Sequence, residues 1–377
     1  MRRGLGIVLL AVILLLSGCA GTERTPAPET HGGADHGMAL QYAEGFTVDY
    51  DEAGRALVTI AGEDRFLIVP EGVGEPAELD ADVTVLCQPI RNIYVATSAA
   101  MDLFDRAGAL DCVRMTATRA ADWSLPAVRR AMEEGDVLFA GKYSAPDYEL
   151  LLAEGCSLAI ENTMVYHTPK IKEELESLGI PVLVERSSYE THPLGRMEWI
   201  KLYGLLTGRT EEAERFFDGQ AAAIQKILNE ENTGKTVAFF YISSNGYVNV
   251  RRSGDYLPKM IELAGGRYVL TDIGSEEDGA RSTMNMQAEA FYAAARDADV
   301  LIYNANVDGG MSTLDELLEK ADWLADFRAV RSGNVWCTEQ NLFQESSGAA
   351  GMIRDFHSIL TGEADGERQL TYLRRLQ

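Results

Sequence analysis

From Val83 onward, short apolar runs alternate with stretches of helical character, and this alternation is interrupted once, over residues 194–231, where no strand signal occurs. That pattern limits the fold more than any other feature. A strand followed by a covering helix, repeated, builds a mostly parallel sheet with both faces buried. Candidate strands before the interruption are 83–87, 112–115, 137–139, 158–160 and 182–184, with helices expected at 99–110, 126–134, 146–154 and 168–178. In the last of these Thr168 can cap, Pro169 suits the first turn and Gly179 suits the position just past the end. After Lys235 the alternation resumes, with strands at 236–242, 300–303 and 334–337 and helices at 255–264, 286–296, 313–321 and 346–360. Within the interruption TGRT at 207–210 breaks the helix, and Thr210 can cap a new one whose first turn carries Glu211 and Glu212. From Glu211 to about Asn232 that helix spans roughly 33 Å at 1.5 Å per residue. The expected class is therefore α/β: two similar α/β lobes with mostly parallel sheets (residues 81–193 and 233–377), bridged by one long rigid helix within 194–232.

The segments ahead of the lobes carry different signals. MRRGLGIVLLAVILLLSGCAG joins a positive start at Arg2 and Arg3 to a short apolar stretch, Ile7 to Leu16, and then to small residues before Cys19. Residues 1–19 read as an export signal rather than as part of the fold. Leu16-Ser17-Gly18-Cys19 resembles a bacterial lipoprotein processing box, which implies a diacylglycerol-modified Cys19 as the mature N-terminus. Residues 20–40, rich in Gly, Pro, Thr and Ala and holding His31 and His36, read as a flexible tether. Residues 41–80 contain a small antiparallel meander, with alternation over 46–69. The formal charge of -24 argues against nucleic acid as a partner. Cys87, Cys112, Cys156 and Cys337 lack CxxC spacing, and their disulfide state is left open.

Several segments together, GKYSAPDYELLLAEGCSLAI, IPVLVE, LYGLLTGRTEEAERFF and DYLPKMIELAGG, in this order over roughly residues 80–362, resemble the iron-siderophore, haem and corrinoid class of substrate-binding proteins of ABC importers. PDYELLLAEGCSLAI and NMQAEAFYAAARDADVLIY also echo each other between the halves. The resemblance implies a ligand cleft between the lobes with little closure. It also implies capture of a ferric siderophore, haem or corrinoid for delivery to an ABC permease. The protein would be an extracytoplasmic, lipid-anchored monomer without cofactor or enzymatic activity. One surface carboxylate per lobe would dock on the permease, and the motif positions assign these to Glu149 and Glu289.

In open α/β sheets ligands bind beyond the carboxyl ends of the strands. The loops expected there offer Arg91, Tyr94, Trp123, Tyr143, Tyr166, Arg186 and Tyr189 in the first lobe, and Tyr247, Arg252 and Arg281 in the second. Aromatic faces suit flat or apolar chelates, and a guanidinium offers a planar fork to carboxylate or catecholate oxygens. His167 and His192 fall in the same loops and could ligate a metal, so a receptor for a bare transition-metal ion is one alternative function. An extracellular enzyme is the other. The sequence has no GxSxG, HExxH, P-loop or GxGxxG motif to support it.

Overall fold

The computed structural model describes residues 37–271, 282–307, 309–365 and 369–377. The lipoprotein signal with Cys19, His31, His36 and Arg281 lie outside the described residues. The chain first forms β1 (Phe46–Tyr50), β2 (Ala56–Ile60) and β3 (Asp64–Val69), an antiparallel meander, as the period-2 alternation requires. The fourth strand of this sheet, β4 (Val83–Cys87), lies parallel to β3. The sequence reading had placed that strand first in the following lobe. The first strand of the lobe is instead β5 (Ile93–Val95), inside a stretch expected to be loop.

The first lobe is a five-stranded, wholly parallel sheet. In chain order it contains β5, α1 (Ser98–Arg106), β6 (Val113–Thr116), α2 (Pro126–Glu134) and β7 (Leu138–Phe139). A two-strand clip of β8 (Gly141–Lys142) and β9 (Ala145–Pro146) follows. Then come α3 (Tyr148–Ala153), β10 (Ala159–Asn162), α4 (Pro169–Ser177) and β11 (Val182–Glu185). The strand order β11-β10-β5-β6-β7 puts a topological switch between β5 and β10, where such sheets open a crevice.

Three helices connect the lobes: α5 (Pro193–Glu198), α6 (Ile200–Thr207) and α7 (Thr210–Leu228). Gly208 ends α6 at φ 72°, and Gly204 lets α7 come close, since a Cβ there would sit 2.6 Å from Ala213 Cβ. The break expected at 207–210 is thus real. However, Thr210 lies inside α7 and makes no cap, and the long helix spans 19 residues, about 28 Å.

The second lobe is more mixed than the first. Its strands are β12 (Thr236–Ile242), β13 (Val248–Arg251), β14 (Arg267–Tyr268), β15 (Thr283–Met286), β16 (Val300–Tyr303), β17 (Val335–Thr338) and β18 (Leu373–Arg375). β12, β16 and β17 are parallel, while β13, β15 and β18 pair antiparallel at the flanks. The helices are α8 (Tyr256–Leu263), α9 (Ala288–Ala295), α10 (Leu314–Lys320), α11 (Arg328–Arg331) and α12 (Ala349–Thr361). Asp255 caps α8 through the Leu257 amide, and Thr313 with Glu316 forms a capping box on α10.

One apolar core runs from Phe46 in the meander through Trp199 and Phe217 of the connector to Phe240, Tyr303 and Leu376 in the second lobe. A smaller layer, including Tyr94, Met115, Leu151 and Val184, covers the other face of the first sheet. Ahead of β1 the chain is held by two carboxylates. Glu198, with a fully buried side chain, accepts backbone N–H bonds from Gln41, Tyr42 and Ala43 at 2.7–3.0 Å. Glu190 accepts those of Glu44 and Gly45 and the Trp199 indole N–H. Lys201 offsets the Glu198 charge at 2.7 Å and also donates to the Ala39 carbonyl.

Replacing Glu198 by Ala leaves three amides without acceptors and the buried Lys201 ammonium without its carboxylate partner, and is expected to cost about 3 kcal/mol. Urea denaturation measures this as a lower midpoint. An unchanged midpoint contradicts the clamp. Glu161 on β10 gives a second expectation. Its side chain is fully buried and neither oxygen has a hydrogen-bond partner. Burial pushes its carboxyl up to about 8, with the nearby Asn162 amide opposing. A carboxyl raised in the folded state contributes stability below its ordinary value of 4.5 and loses it as pH rises through the folded value. Wild type is therefore expected to lose stability against Glu161→Gln as pH climbs to about 8. Parallel melting curves across that range test it, and equal slopes would refute it.

Candidate functional site

The carboxyl ends of β10 and β11 carry the most exposed aromatic group of the first lobe. Asn162 turns the chain out of β10 by accepting the Met164 amide, and the short helical turn that follows presents Met164 and Tyr166, 47% and 46% exposed. From β11, Glu185 accepts the Ser187 amide, and the next turn presents Tyr189, 40% exposed. Arg186 stacks over the Tyr189 ring at 5.1 Å. It also faces the Tyr166 hydroxyl, where it opposes the upward push of burial on that phenol. Tyr166, Arg186 and Tyr189 thus form one cluster. One ring face and one phenol hydroxyl meet a cation that makes no ion pair with a carboxylate among the described residues. Exposed aromatic area of this kind is costly unless something covers it.

In the second lobe β12 ends in a hairpin tip held by Ser243, which donates to Asn245 and to the Tyr247 carbonyl. Tyr247 projects from that tip. Val307, beyond the carboxyl end of β16, is 53% exposed. The lobes touch beyond the carboxyl ends of β6 and β17. Gln344, past β17, accepts from the Ser124 amide and hydroxyl at 2.6 Å and donates to the Asp122 carbonyl at 2.8 Å. Behind this contact lies a layer the sequence reading did not single out. Arg196 of α5 stacks on Tyr256 of α8 at 3.8 Å, and Arg251 packs on Phe343 at 5.0 Å. Arg196 lies in α5, inside the strandless stretch, so no sheet-end loop marks it in the sequence.

Other expected positions behave differently. Arg91 precedes β5, at the amino end of the sheet, and pairs with Asp111 at 3.3 Å. It faces away from the strand ends where a ligand would sit. Tyr94 is the middle residue of β5 and is fully buried in the smaller core layer. Its phenol, without a hydrogen-bond partner, is pushed strongly upward by burial. Trp123 is 2% exposed and belongs to the main core. These three are corrected: the strand runs through the segment expected to be loop, so Arg91 falls before it and Tyr94 within it.

Tyr143 sits half-buried at the turn between β8 and β9, against the smaller core layer. Arg252 follows β13, which runs back from the hairpin tip, and its amide bonds to Ser282. His192 is an N-cap. Its Nδ1 accepts the Leu194 amide at 3.2 Å, its ring stacks on Tyr42 at 4.5 Å, and burial pushes its pKa down to about 4. That lone pair is committed, so the suggested metal role is corrected. His167 is exposed, and no group of three or more His, Cys, Asp or Glu able to hold a metal occurs among the described residues. The four described cysteines are free thiols. Glu149 and Glu289 are exposed in the first turns of α3 and α9, and neither makes an ion pair among the described residues.

Comparison with known proteins bears on this architecture. An uncharacterized lipoprotein of Methanocaldococcus jannaschii is 24% identical over 379 residues, covering 90% of this chain and 87% of that one. Among solved structures, a periplasmic haem-binding protein of Vibrio cholerae superposes with a TM-score of 0.57 at 18% identity, covering 70% of this chain and 97% of the other. A petrobactin-binding protein of Bacillus subtilis gives 0.57 at 13% identity, covering 74% and 93%. These likenesses concern the two-lobed fold. Residues 115–342, more than half of the chain, match the family described as periplasmic binding protein. By that match, and with the fold agreeing, the chain belongs to the periplasmic binding protein family.

Proposed function

We propose that this protein is the extracytoplasmic, lipid-anchored receptor of an ABC importer, taking up an iron chelate (a ferric siderophore or haem) or a corrinoid. The observation that carries the proposal is the Tyr166–Arg186–Tyr189 cluster at the strand ends of one lobe, with Tyr247 and Val307 at those of the other. Apolar rings suit a flat or greasy chelate, and the guanidinium supplies the counter-charge for its carboxylate or catecholate oxygens. Relatives of the same fold bind haem and petrobactin, which matches that chemistry. In an acidic chain, a cleft cation selects an anionic solute by local field. On this reading the arginines favour a chelate rich in anionic oxygens, a ferric siderophore first. Tyr143, Arg252 and Arg281 remain in the proposed contact set.

The lobes share the apolar core of the connector, so ligand capture would proceed with little hinge motion. Glu149 and Glu289 are the proposed docking carboxylates, one per lobe. Such rim charges set encounter rate and register more than affinity. The proposal assigns no catalytic step to any residue. In it, residues 1–19 are the signal and lipid-attachment segment, residues 20–40 the tether, and 194–232 the connection between lobes 81–193 and 233–377.

A thermal-shift panel of ferric siderophores, haemin and cobalamins tests the ligand class. One class is expected to raise the melting temperature saturably, and Tyr166→Ala or Arg186→Gln should weaken it about tenfold. Stabilisation by zinc or manganese alone would defeat the chelate proposal. For docking, Glu149→Arg with Glu289→Arg is expected to abolish ligand uptake by cells while leaving binding to the isolated protein unchanged. Normal uptake by the double variant contradicts the assignment.

A further inference from the structure

A cavity of about 270 Å³ lies between α1, α7, α12 and the C-terminal segment, and is separate from the aromatic cluster described above. Its walls include Arg106, Phe216, Gln220, Arg354, Asp355 and Tyr372. That space is several times a water's share of liquid volume, about 30 Å³, and large enough for a small polyatomic ion. We propose that it is a second binding site, for a small oxyanion-bearing solute, either a phosphate or a compact polycarboxylate.

The free donors facing the cavity favour an anion. Arg354 is half-buried on α12 and has no acidic partner among the described residues, in a chain of net charge -24. Arg106 turns its Nε toward Asp102 at 3.5 Å, while its terminal nitrogens make no hydrogen bond within the described fold. Each nearby carboxylate has one oxygen committed to an internal donor, and the Asp102 Oδ1 faces Arg106 without a hydrogen bond of its own. Asp102 is fully buried and its Oδ2 accepts the Ser347 amide at 2.7 Å. Asp355 Oδ2 accepts the Thr371 and Tyr372 amides at 2.8 and 2.7 Å. Glu345 accepts the Tyr372 hydroxyl at 2.7 Å. Two guanidinium forks and the Gln220 side chain are left as donors, the set that matches phosphate or carboxylate oxygens.

The position gives such a site a role. Arg106 belongs to the first lobe, Gln220 to the connector and Arg354 to the second lobe, so a bound anion bridges all three. The first turns of α12 form a shared wall: Gly351 and Arg354 face this cavity, while Ala349 and Met352 face the tight layer with Arg196, Tyr256 and Phe343 behind the lobe contact.

The experiment is calorimetric titration of the full chain with inorganic phosphate and, separately, with citrate, at ionic strength held constant with chloride. Saturable binding of either probe is expected, weakened about tenfold by Arg354→Gln and unaffected by Arg331→Gln, whose side chain is 66% exposed and pairs with Asp326. Phosphate alone identifies a tetrahedral oxyanion, and citrate alone a polycarboxylate. No saturable heat with either, or equal affinity in Arg354→Gln, overturns the site. If Arg354→Gln does not fold, Gln220→Leu on α7 is read by the same criteria. Cleft ligands play no part in this measurement, so its outcome is independent of the chelate proposal.

Discussion

The continuous apolar core is the constraint on which the rest of the molecule depends. It does not stop at the boundary of either lobe. Phe104 of α1 stacks on Tyr203 of α6 at 4.7 Å, Phe217 of α7 packs near Tyr42, and both belong to the cluster that extends to Tyr303 and Leu376. Interiors packed at this density transmit strain rather than absorb it. Two lobes that share a core through their connector cannot swing freely, because separation would expose apolar area at roughly 25 cal/mol per Å². The buried carboxylates work on the same geometry. Glu190 and Glu198 tie the segment before β1 to the connector, and Asp102 ties α1 to the start of α12.

Against this rigid frame the strand ends are open and chemically mixed. Exposed rings at Tyr166, Tyr189 and Tyr247 would be a liability on an inert surface. In the proposed receptor they would be contact area that needs little reordering when a ligand arrives. The guanidinium of Arg186 is already stacked on Tyr189, so in the proposed role it would lose little rotamer freedom on binding. The same economy applies to Arg196 on Tyr256. Pre-organised rings and cations at sheet ends, held by a continuous core, suit the proposed cleft, in which filling would change shape little.

Much of the architecture was legible before any coordinates, for local reasons. Helices such as 126–134 and 169–177 announce themselves with Pro at the first turn and Gly at the end. The misreading of β5 shows where local signals fail. Ile93-Tyr94-Val95 is only three residues long, follows Asn92 at φ 54°, and contains a tyrosine of the kind that also marks binding loops. Neither its length nor its composition separates strand from loop. The neighbouring run 83–87 is a better strand by every local criterion, and it is one, but its partner is β3. Pairing is a long-range property, and it moved Arg91 and Tyr94 out of the candidate site.

The sequence by itself determined the class of fold, the two-part organisation, the break at Gly208 and the loops that hold Tyr166, Arg186, Tyr189 and Tyr247, because these follow from periodicity and from the backbone preferences of single residues. Only the tertiary structure decided which strand pairs with which, that His192 spends its lone pair on a helix amide, and that Arg106 and Arg354, 248 positions apart in the chain, line one cavity. The physical reason is that pairing, burial and charge compensation depend on distance in space. Residues far apart along a chain acquire that distance only when the core closes.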